Sequence, residues 1–199
     1  MAKITTKIHR EFRHNRLALF DEMNVIQTKK HVDKLYNKVF QTIKNEFLAV
    51  ANEIYAEVAA ELVEMGFDGD LGRIDEDWLN EFLSLYSPVT KYVFTNEIDR
   101  KKSRLFEALV ASLEDRLDSY ITAENLLKRQ IKQCGIELED AATENTYKKF
   151  GVKKVQWVAE HDHKTCGVCN DLDGEVFELN DAPDKQHINC RCYLIPVRE

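Results

Sequence analysis

Four of the five cysteines and one histidine lie close together near the end of this 199-residue chain, in a pattern typical of metal ligands. Cys166 and Cys169 are followed, after residues 170–186, by His187, Cys190 and Cys192. A Cys-x2-Cys turn places two thiolates on one side of the chain, and His-x2-Cys or Cys-x-Cys supplies the other corners of a tetrahedron. Four ligands leave no open position on the ion, so the predicted site is structural. Zinc fits a sulfur-rich, redox-inert site best, and iron fits it less well.

Five candidate ligands compete for four positions on the ion. The matching x2 spacings favour Cys166, Cys169, His187 and Cys190. If residues 190–192 are extended, the side chains of Cys190 and Cys192 point to one face, so an all-cysteine set with Cys192 in place of His187 is equally reachable. The other interpretation is that the cysteines are reduced core residues without a metal. The small size of the region argues against this interpretation, because so small a unit needs a stabilising cross-link to fold.

His161 and His163 flank Asp162 just before the first cysteine pair, a pattern that also occurs in hydrolytic sites. We interpret these side chains as solvated residues of a turn. The sequence shows no Ser or Thr nucleophile with an evident base, no Gly-rich phosphate loop and no His-Glu-x-x-His helix. We therefore predict no catalytic residues and no enzymatic activity. Trp157 is predicted to be a core residue on a strand, and Cys134 a buried small hydrophobe.

The cysteines lie among segments with strand character. β-branched and aromatic residues predict strands near residues 155–159, 176–179 and 190–197, the second behind a tight turn at Asp173-Gly174. A helix at 137–150, with Gly151 after its last turn, leads into them. We predict a small α+β C-terminal domain with a zinc knuckle at residues 137–199.

Residues 1–136 are predicted to form a mainly α-helical region. Val32, Ile43, Ile54 and Met65 recur every eleven residues, and this spacing keeps an apolar stripe on one face of a long, nearly straight helix. That stripe needs a partner, either a helix at residues 105–117 of the same chain or another protein.

Turn and capping residues divide the rest of the helical region. The first long helix ends near Gly66, and a short helix is predicted at 75–86. Ser87-Pro88 predicts the start of another helix that reaches Leu117, with a break near Asn96. A further helix at 123–133 is expected to stop at Gly135.

Charge is unevenly distributed along the chain. Residues 1–30 carry seven Lys and Arg against three acids, whereas residues 51–90 carry ten acids against Arg73 alone. The basic arm suits phosphates or an acidic protein surface, but the acidic middle would be repelled by nucleic acid, which argues against a sequence-specific DNA binder. No apolar run approaches the roughly 20 residues that cross a bilayer, and no secretory signal is evident, so we expect synthesis in the host cytoplasm and no membrane contact.

The C-terminal motifs closely resemble those of the phage Mu F-like head morphogenesis family. The motifs are Thr143-Glu144, Tyr147-Lys-Lys-Phe-Gly151, Val155-Gln-Trp157, Asp162, Thr165-Cys166-Gly-Val-Cys169, Leu172-Asp-Gly174, Val176-Phe177 and His187-Ile-Asn-Cys190-Arg-Cys192. The segment from Ser87 to Leu109 resembles the helical region of such proteins less diagnostically. The resemblance implies a minor capsid protein that associates with the portal and enters the procapsid. For some relatives it also implies a role in DNA retention or ejection.

The sequence thus predicts a phage minor capsid protein of the virion interior. Its expected partners are the portal protein and other capsid or scaffold proteins, bound through residues 1–136. Non-specific contact with packaged DNA through the basic N-terminal arm is a further expectation. The alternatives are a nucleic-acid-binding zinc module and a degenerate nuclease or transferase-like toxin domain.

Overall fold

The chain folds into a helical bundle followed by a small antiparallel sheet. The structure is a computed structural model that describes residues 2–16 and 24–198. Its elements in chain order are α1 (Ala2–Arg16), α2 (Val25–Glu64), α3 (Glu76–Ser84), α4 (Phe94–Ala111), α5 (Arg116–Lys149), β1 (Lys154–Val158), α6 (Gly167–Leu172), β2 (Val176–Glu178), a 3-10 turn (Leu179–Asp181) and β3 (Tyr193–Val197). The predicted fold class, mainly α with a small α+β part at the C-terminus, is confirmed.

The 40-residue helix α2 is the centre of the bundle. Its start is fixed by a capping box, in which Asn24 Oδ1 accepts from the N–H of Gln27 while Gln27 Oε1 accepts from the N–H of Asn24, both at 3.0 Å. It ends before Gly66, whose φ of 80° suits a residue without a Cβ. α1, α4 and α5 pack along α2. The predicted apolar stripe is therefore buried mainly within the chain, with Val32, Leu35, Val39, Ile43, Phe47 and Leu62 in the core.

Helix α1 was not predicted from the sequence. Ile4, Ile8 and Phe12 are fully buried at a spacing of four residues, which is one face of a helix. The hydroxyl of Tyr120 on α5 donates to the carbonyl of Phe12 at 3.0 Å. The basic N-terminal segment is thus a packed helix over residues 2–16, and its residues 17–23 lie outside the described residues.

The helix predicted to begin at Ser87-Pro88 is wrong. Residues 87–92 form a tight turn instead, in which the N–H of Ser87 donates to the carbonyl of Tyr92 at 3.0 Å and Lys91 adopts a φ of 64°. The turn is closed by an antiparallel bridge between Tyr86 and Val93, and α4 begins after it. Ser87 caps only this one turn: the N–H of Thr90 donates to its hydroxyl and the N–H of Lys91 donates to its carbonyl, both at 2.9 Å, and the left-handed backbone of Lys91 ends the turn before a helix forms.

The helix ends predicted at Leu117 and Gly135 are also wrong, whereas the end predicted near Phe150 is confirmed. α4 stops at Ala111, and α5 runs without interruption through Gly135, which is buried. A glycine costs a helix only about 1 kcal/mol, and the packing of α5 against α2 and α4 outweighs that cost. The predicted domain boundary between residues 136 and 137 falls inside α5 and stays a prediction.

The sheet has the strand order β2-β1-β3, and both pairings are antiparallel. Val155 and Trp157 of the central strand β1 are buried on the face that meets the rest of the chain. The third strand begins at Tyr193, three residues later than predicted. Tyr147 near the end of α5 donates its hydroxyl to the carbonyl of Leu194 at 3.0 Å, and so ties α5 to β3.

Among the residues that the structure describes, no helix combines the length and the apolar character that crossing a membrane requires.

Candidate metal centre

The first cysteine pair lies at the start of α6. Cys166 is the N-cap of this short helix, and its Sγ accepts a hydrogen bond from the N–H of Cys169 at 3.4 Å. Cys169, one turn into the helix, is fully buried. The predicted turn is therefore the first turn of a helix, and it places both sulfurs on one side of the chain, as predicted.

The second group of candidates lies on the segment that leads into β3. The N–H of Cys190 donates to the carbonyl of His187 at 3.1 Å, and Asn189 has a φ of 60°. This tight turn brings the imidazole and the thiol to the same side. Cys190 and Cys192 are both buried although they lie outside the strand, with the exposed Arg191 between them.

Two distances in the centre match the edges of a zinc tetrahedron. Cys169 Sγ lies 3.5 Å from His187 Nε2 and 3.7 Å from Cys190 Sγ. With Zn–S near 2.3 Å and Zn–N near 2.0 Å, tetrahedral geometry requires edges of about 3.5 Å for S to N and about 3.8 Å for S to S. A disulfide would bring the sulfurs to about 2.05 Å. These two edges at Cys169 are those of a tetrahedral zinc site.

All five candidates gather around Cys169, but they do so in two triplets that share it. In the described residues, the ligand atoms of Cys166, Cys169 and His187 lie within 4.8 Å of one another, and so do those of Cys169, Cys190 and Cys192. The structure thus brings together every residue predicted as a ligand. It does not choose between His187 and Cys192 as the fourth ligand.

The imidazole of His187 is oriented for coordination through Nε2. Its Nδ1 lies 3.1 Å from the carbonyl oxygen of Ile188. A carbonyl only accepts, so Nδ1 carries the proton and donates it. The lone pair is then on Nε2, which faces Cys169 Sγ, and an outer hydrogen bond of this kind is typical of histidine ligands.

The protein environment alone holds two of the buried thiols protonated. Burial raises the pKa of Cys169 and of Cys192, because a buried thiolate is poorly solvated. The N–H of Cys169 lowers the pKa of Cys166 by donating to its sulfur. A bound divalent cation would supply the positive charge that ionises the buried thiols.

Side chains that the sequence did not single out hold the second ligand segment in place. Lys185 donates to the carbonyl of Cys192 and lies 3.2 Å from Asp140 Oδ1 on α5. Gln133, also on α5, accepts from the N–H of Asn189 at 3.3 Å through its Oε1. The ligand segment is therefore anchored to α5.

His161 and Asp162, which precede the first cysteine pair, each pair with a side chain of another segment. His161 Nε2 lies 3.1 Å from Asp173 Oδ2. Asp162 pairs with Arg191, which holds the pKa of that carboxyl at about 2. Its Oδ1 also accepts from the N–H of Lys164 at 2.8 Å. These contacts stabilise the turn before Cys166 and join it to the second ligand segment.

Two core predictions near the centre are confirmed. Trp157 is 2% exposed and packs with the buried cysteines, and Cys134 is buried in α5. Burial raises the pKa of Cys134 well above its usual range.

The basic face of α1 is partly neutralised by acids of the same chain. Lys7 pairs with Glu46, and His9 Nδ1 lies 2.7 Å from Glu124 Oε1. Glu11 of α1 in turn pairs with Lys38 at 2.7 Å. The predicted contact between this segment and DNA stays a prediction.

Comparison with known proteins gives one match. Residues 102–195 match the model of the family described as phage Mu protein F like protein. No curated protein and no solved structure matches the chain. The matched range includes α5, the candidate metal centre and most of the sheet. The resemblance predicted from the motifs is thus confirmed over residues 102–195, which are similar to the phage Mu F-like family.

Proposed function

We propose that the protein is a phage minor capsid protein that associates with the portal and enters the procapsid, and that one structural zinc ion folds residues 137–199. The observation that carries the proposal is the convergence of five zinc-type ligands on Cys169, inside the range matched to a head morphogenesis family. The protein would then reside inside the capsid of the virion.

For the zinc ion we propose the ligands Cys166, Cys169, His187 and Cys190. The S to N and S to S edges at Cys169 support this set. So does the hydrogen bond from His187 Nδ1 to the carbonyl of Ile188, which leaves Nε2 to coordinate the ion. Cys192 is the alternate fourth ligand. When His187 is the fourth ligand, the buried thiol of Cys192 lies beside the zinc-bound sulfurs without coordinating the ion.

A structural role for the ion is supported by the burial of two of its proposed ligands. Cys169 and Cys190 are at most 2% exposed, and Cys166 and His187 are half-buried. A catalytic zinc keeps one position open to water and substrate, whereas four protein ligands close the coordination shell. We therefore propose a site that holds shape and performs no turnover.

The helical region offers the surface for a protein partner. Ile26, Leu71 and Leu113 are large apolar residues that are 67%, 74% and 73% exposed. Apolar side chains of this kind become the buried centre of an interface when a partner covers them. We propose residues 1–136 as the portal-binding region, and the basic residues of α1 as the contact with packaged DNA during retention or ejection.

Assembly with and without the portal tests this function. The protein would be co-produced with the coat and scaffold proteins of the same phage, either with the portal protein or without it, and procapsids would be purified on a gradient. We expect the protein in procapsids that contain the portal and at least tenfold less in those that lack it. Equal amounts in both would contradict portal association.

The exposed leucine of the α4–α5 connection provides a matched pair of variants for the same assay. Leu113→Asp places a charge on the proposed interface, whereas Leu113→Met keeps an apolar side chain of similar volume. We expect incorporation to fall with the aspartate and to be retained with the methionine. An unchanged amount of the aspartate variant would exclude this position from the interface.

A further inference from the structure

A groove with aromatic walls separates the bundle from the sheet. It has a volume of about 320 Å³ and lies between α5, the turn at residues 85–94 and the segment at 183–185 that precedes the second ligand group. This volume is at the lower end of the range for sites that take a ligand or a side chain. Its aromatic lining is formed by Phe82, Tyr86, Tyr92, Phe94 and Trp157.

The groove carries an excess of negative charge. Four carboxylates line it, against one lysine, Lys185. Burial raises the pKa of Asp140 to about 6, and it also raises the pKa values of Glu137 and Glu144. Burial disfavours the charged form of these carboxyl groups, and a cation that enters the groove would stabilise that form by pairing with them.

Three buried polar atoms of residues that line the groove, one of them Thr90 Oγ1, find no partner among the described residues. Asp140 Oδ2 is an acceptor without a donor. Lys185 Nζ lies 3.2 Å from Oδ1, the other oxygen of the same carboxylate. Trp157 Nε1 is a donor on a side chain that is only 2% exposed. Buried polar groups are nearly always paired, so Asp140 Oδ2 and Trp157 Nε1 indicate a missing ligand that both donates and accepts.

We infer that this groove binds an arginine-bearing peptide segment of a partner protein. A guanidinium group donates to carboxylates through a planar fork and stacks on aromatic rings, which matches Asp140 and the tyrosine walls. The backbone of the same segment carries the carbonyl that Trp157 Nε1 requires. Leu85 and Tyr86, each 59% exposed, form an apolar rim for the residues on either side of the arginine.

This inference goes beyond the proposed function, because no step of it depends on the portal or on the identity of the metal. The occupant is defined by charge and hydrogen bonding. A neutral apolar peptide would leave Asp140 Oδ2 unpaired in the groove. A free arginine side chain would lack the flanking apolar contacts at the rim.

The probe is the peptide N-acetyl-Leu-Arg-Leu-amide, added to the full chain purified with its metal. The chain has two tryptophans, so it gives two indole N–H signals in a nitrogen-proton NMR spectrum, and Trp78→Phe assigns the signal of Trp157. We expect the Trp157 signal to shift as its N–H gains an acceptor. The same peptide with citrulline in place of arginine should bind about tenfold more weakly, since the charged donor is lost.

Variants of the groove complete the test. Asp140→Asn should weaken arginine-peptide binding about tenfold, and Glu144→Gln should weaken it by a smaller factor. Glu139→Gln, an exposed position on the same helix outside the groove, should have no effect. If Asp140→Asn fails to fold, Glu144→Gln decides.

The proposal is overturned if the Trp157 signal does not shift, if both peptides bind equally, or if neither groove variant that folds weakens binding. Metal content is measured in every sample. A groove variant that keeps its metal but loses the peptide separates this inference from the proposed zinc site.

Discussion

The helical bundle and the C-terminal sheet are stabilised by different means. The core of the bundle contains side chains from α1 to α5, including Phe12, Tyr36 and Phe47, which are at most 1% exposed. The cluster beneath the sheet contains only five buried residues, namely Trp157, Ala159, Cys169, Cys190 and Cys192. Three of these five are cysteines, and the sheet's other buried apolar residues, such as Val155 of β1, belong to the core of the bundle. Small units of this kind need a metal or another staple, whereas the bundle does not.

The two regions are nevertheless joined. α5 contributes to the bundle core with its first half, and its second half supports the ligand segment through Gln133 and Asp140. We therefore expect loss of the metal to unfold the sheet without unfolding the bundle, and the following changes test that asymmetry.

Cys169→Ser should have the largest effect. Cys169 belongs to both ligand triplets, so its loss leaves no complete set. Structural zinc contributes on the order of 10–16 kcal/mol to small zinc domains, far more than the packing of five residues. Hydrogen exchange should show that the amides of β1, β2 and β3 lose protection while those of α2 keep it.

Cys134→Ala is the matched control, because Cys134 is a buried cysteine outside the ligand set. It should keep both the metal and the protection of the sheet. If Cys169→Ser left the sheet protected, or unfolded α2 together with it, the two regions would not differ as we describe.

Phe47→Ala should break the bundle and spare the metal. Phe47 is fully buried on α2 and its ring lies 6.0 Å from that of Phe94. Emptying such a position costs about 3–5 kcal/mol. Urea unfolding followed by circular dichroism should show this loss, while zinc stoichiometry at low urea stays at that of the unmodified protein.

Leu113→Ala serves as the control for the bundle, since Leu113 is 73% exposed. Its unfolding free energy should change by less than about 0.5 kcal/mol. A loss of zinc in folded Phe47→Ala would show that the two regions are more tightly coupled than their cores suggest.

His187→Ala and Cys192→Ala distinguish the two ligand sets. Loss of a true ligand should lower zinc affinity by more than the roughly 10–100-fold that loss of an outer partner costs. We expect this effect for His187→Ala and a change below about tenfold for Cys192→Ala, measured by competition with a chromogenic chelator. The opposite ranking would establish the all-cysteine set.

Asp140→Asn should produce the smallest effect on stability, and one that depends on pH. Burial raises the pKa of Asp140 to about 6, so the folded state holds this proton more tightly than the unfolded state does. The contribution to stability is therefore present at low pH and is lost as the pH rises through about 6. Asparagine stays neutral, so the urea midpoint of the variant should rise relative to that of the unmodified protein between pH 5 and pH 8. A constant difference would contradict the raised pKa.

The sequence predicted those features that depend on local spacing. The eleven-residue repeat from Val32 predicted α2, and Val32 and Ile43 are buried as expected, whereas Ile54 is half-buried and Met65 is exposed. The Cys-x2-Cys and His-x2-Cys spacings predicted the residues that the structure brings together. In both cases neighbouring residues of one segment determine which side chains share a face.

Features that depend on distant contacts were missed or wrong. Ser87-Pro88 has good helix-start chemistry, but pairing between Tyr86 and Val93 overrides it. Gly135 did not end α5, because packing exceeds its intrinsic cost. The anchoring of the second ligand segment by Gln133 and by Lys185 joins parts of the chain that no local pattern connects.

Native mass spectrometry of the full chain tests the central claim most directly. The protein, purified without added chelator, should carry the mass of one zinc ion per chain, and Cys169→Ser should lack it. A metal-free protein whose β1, β2 and β3 amides remain protected from exchange would contradict the claim that a metal ion holds the C-terminal region together.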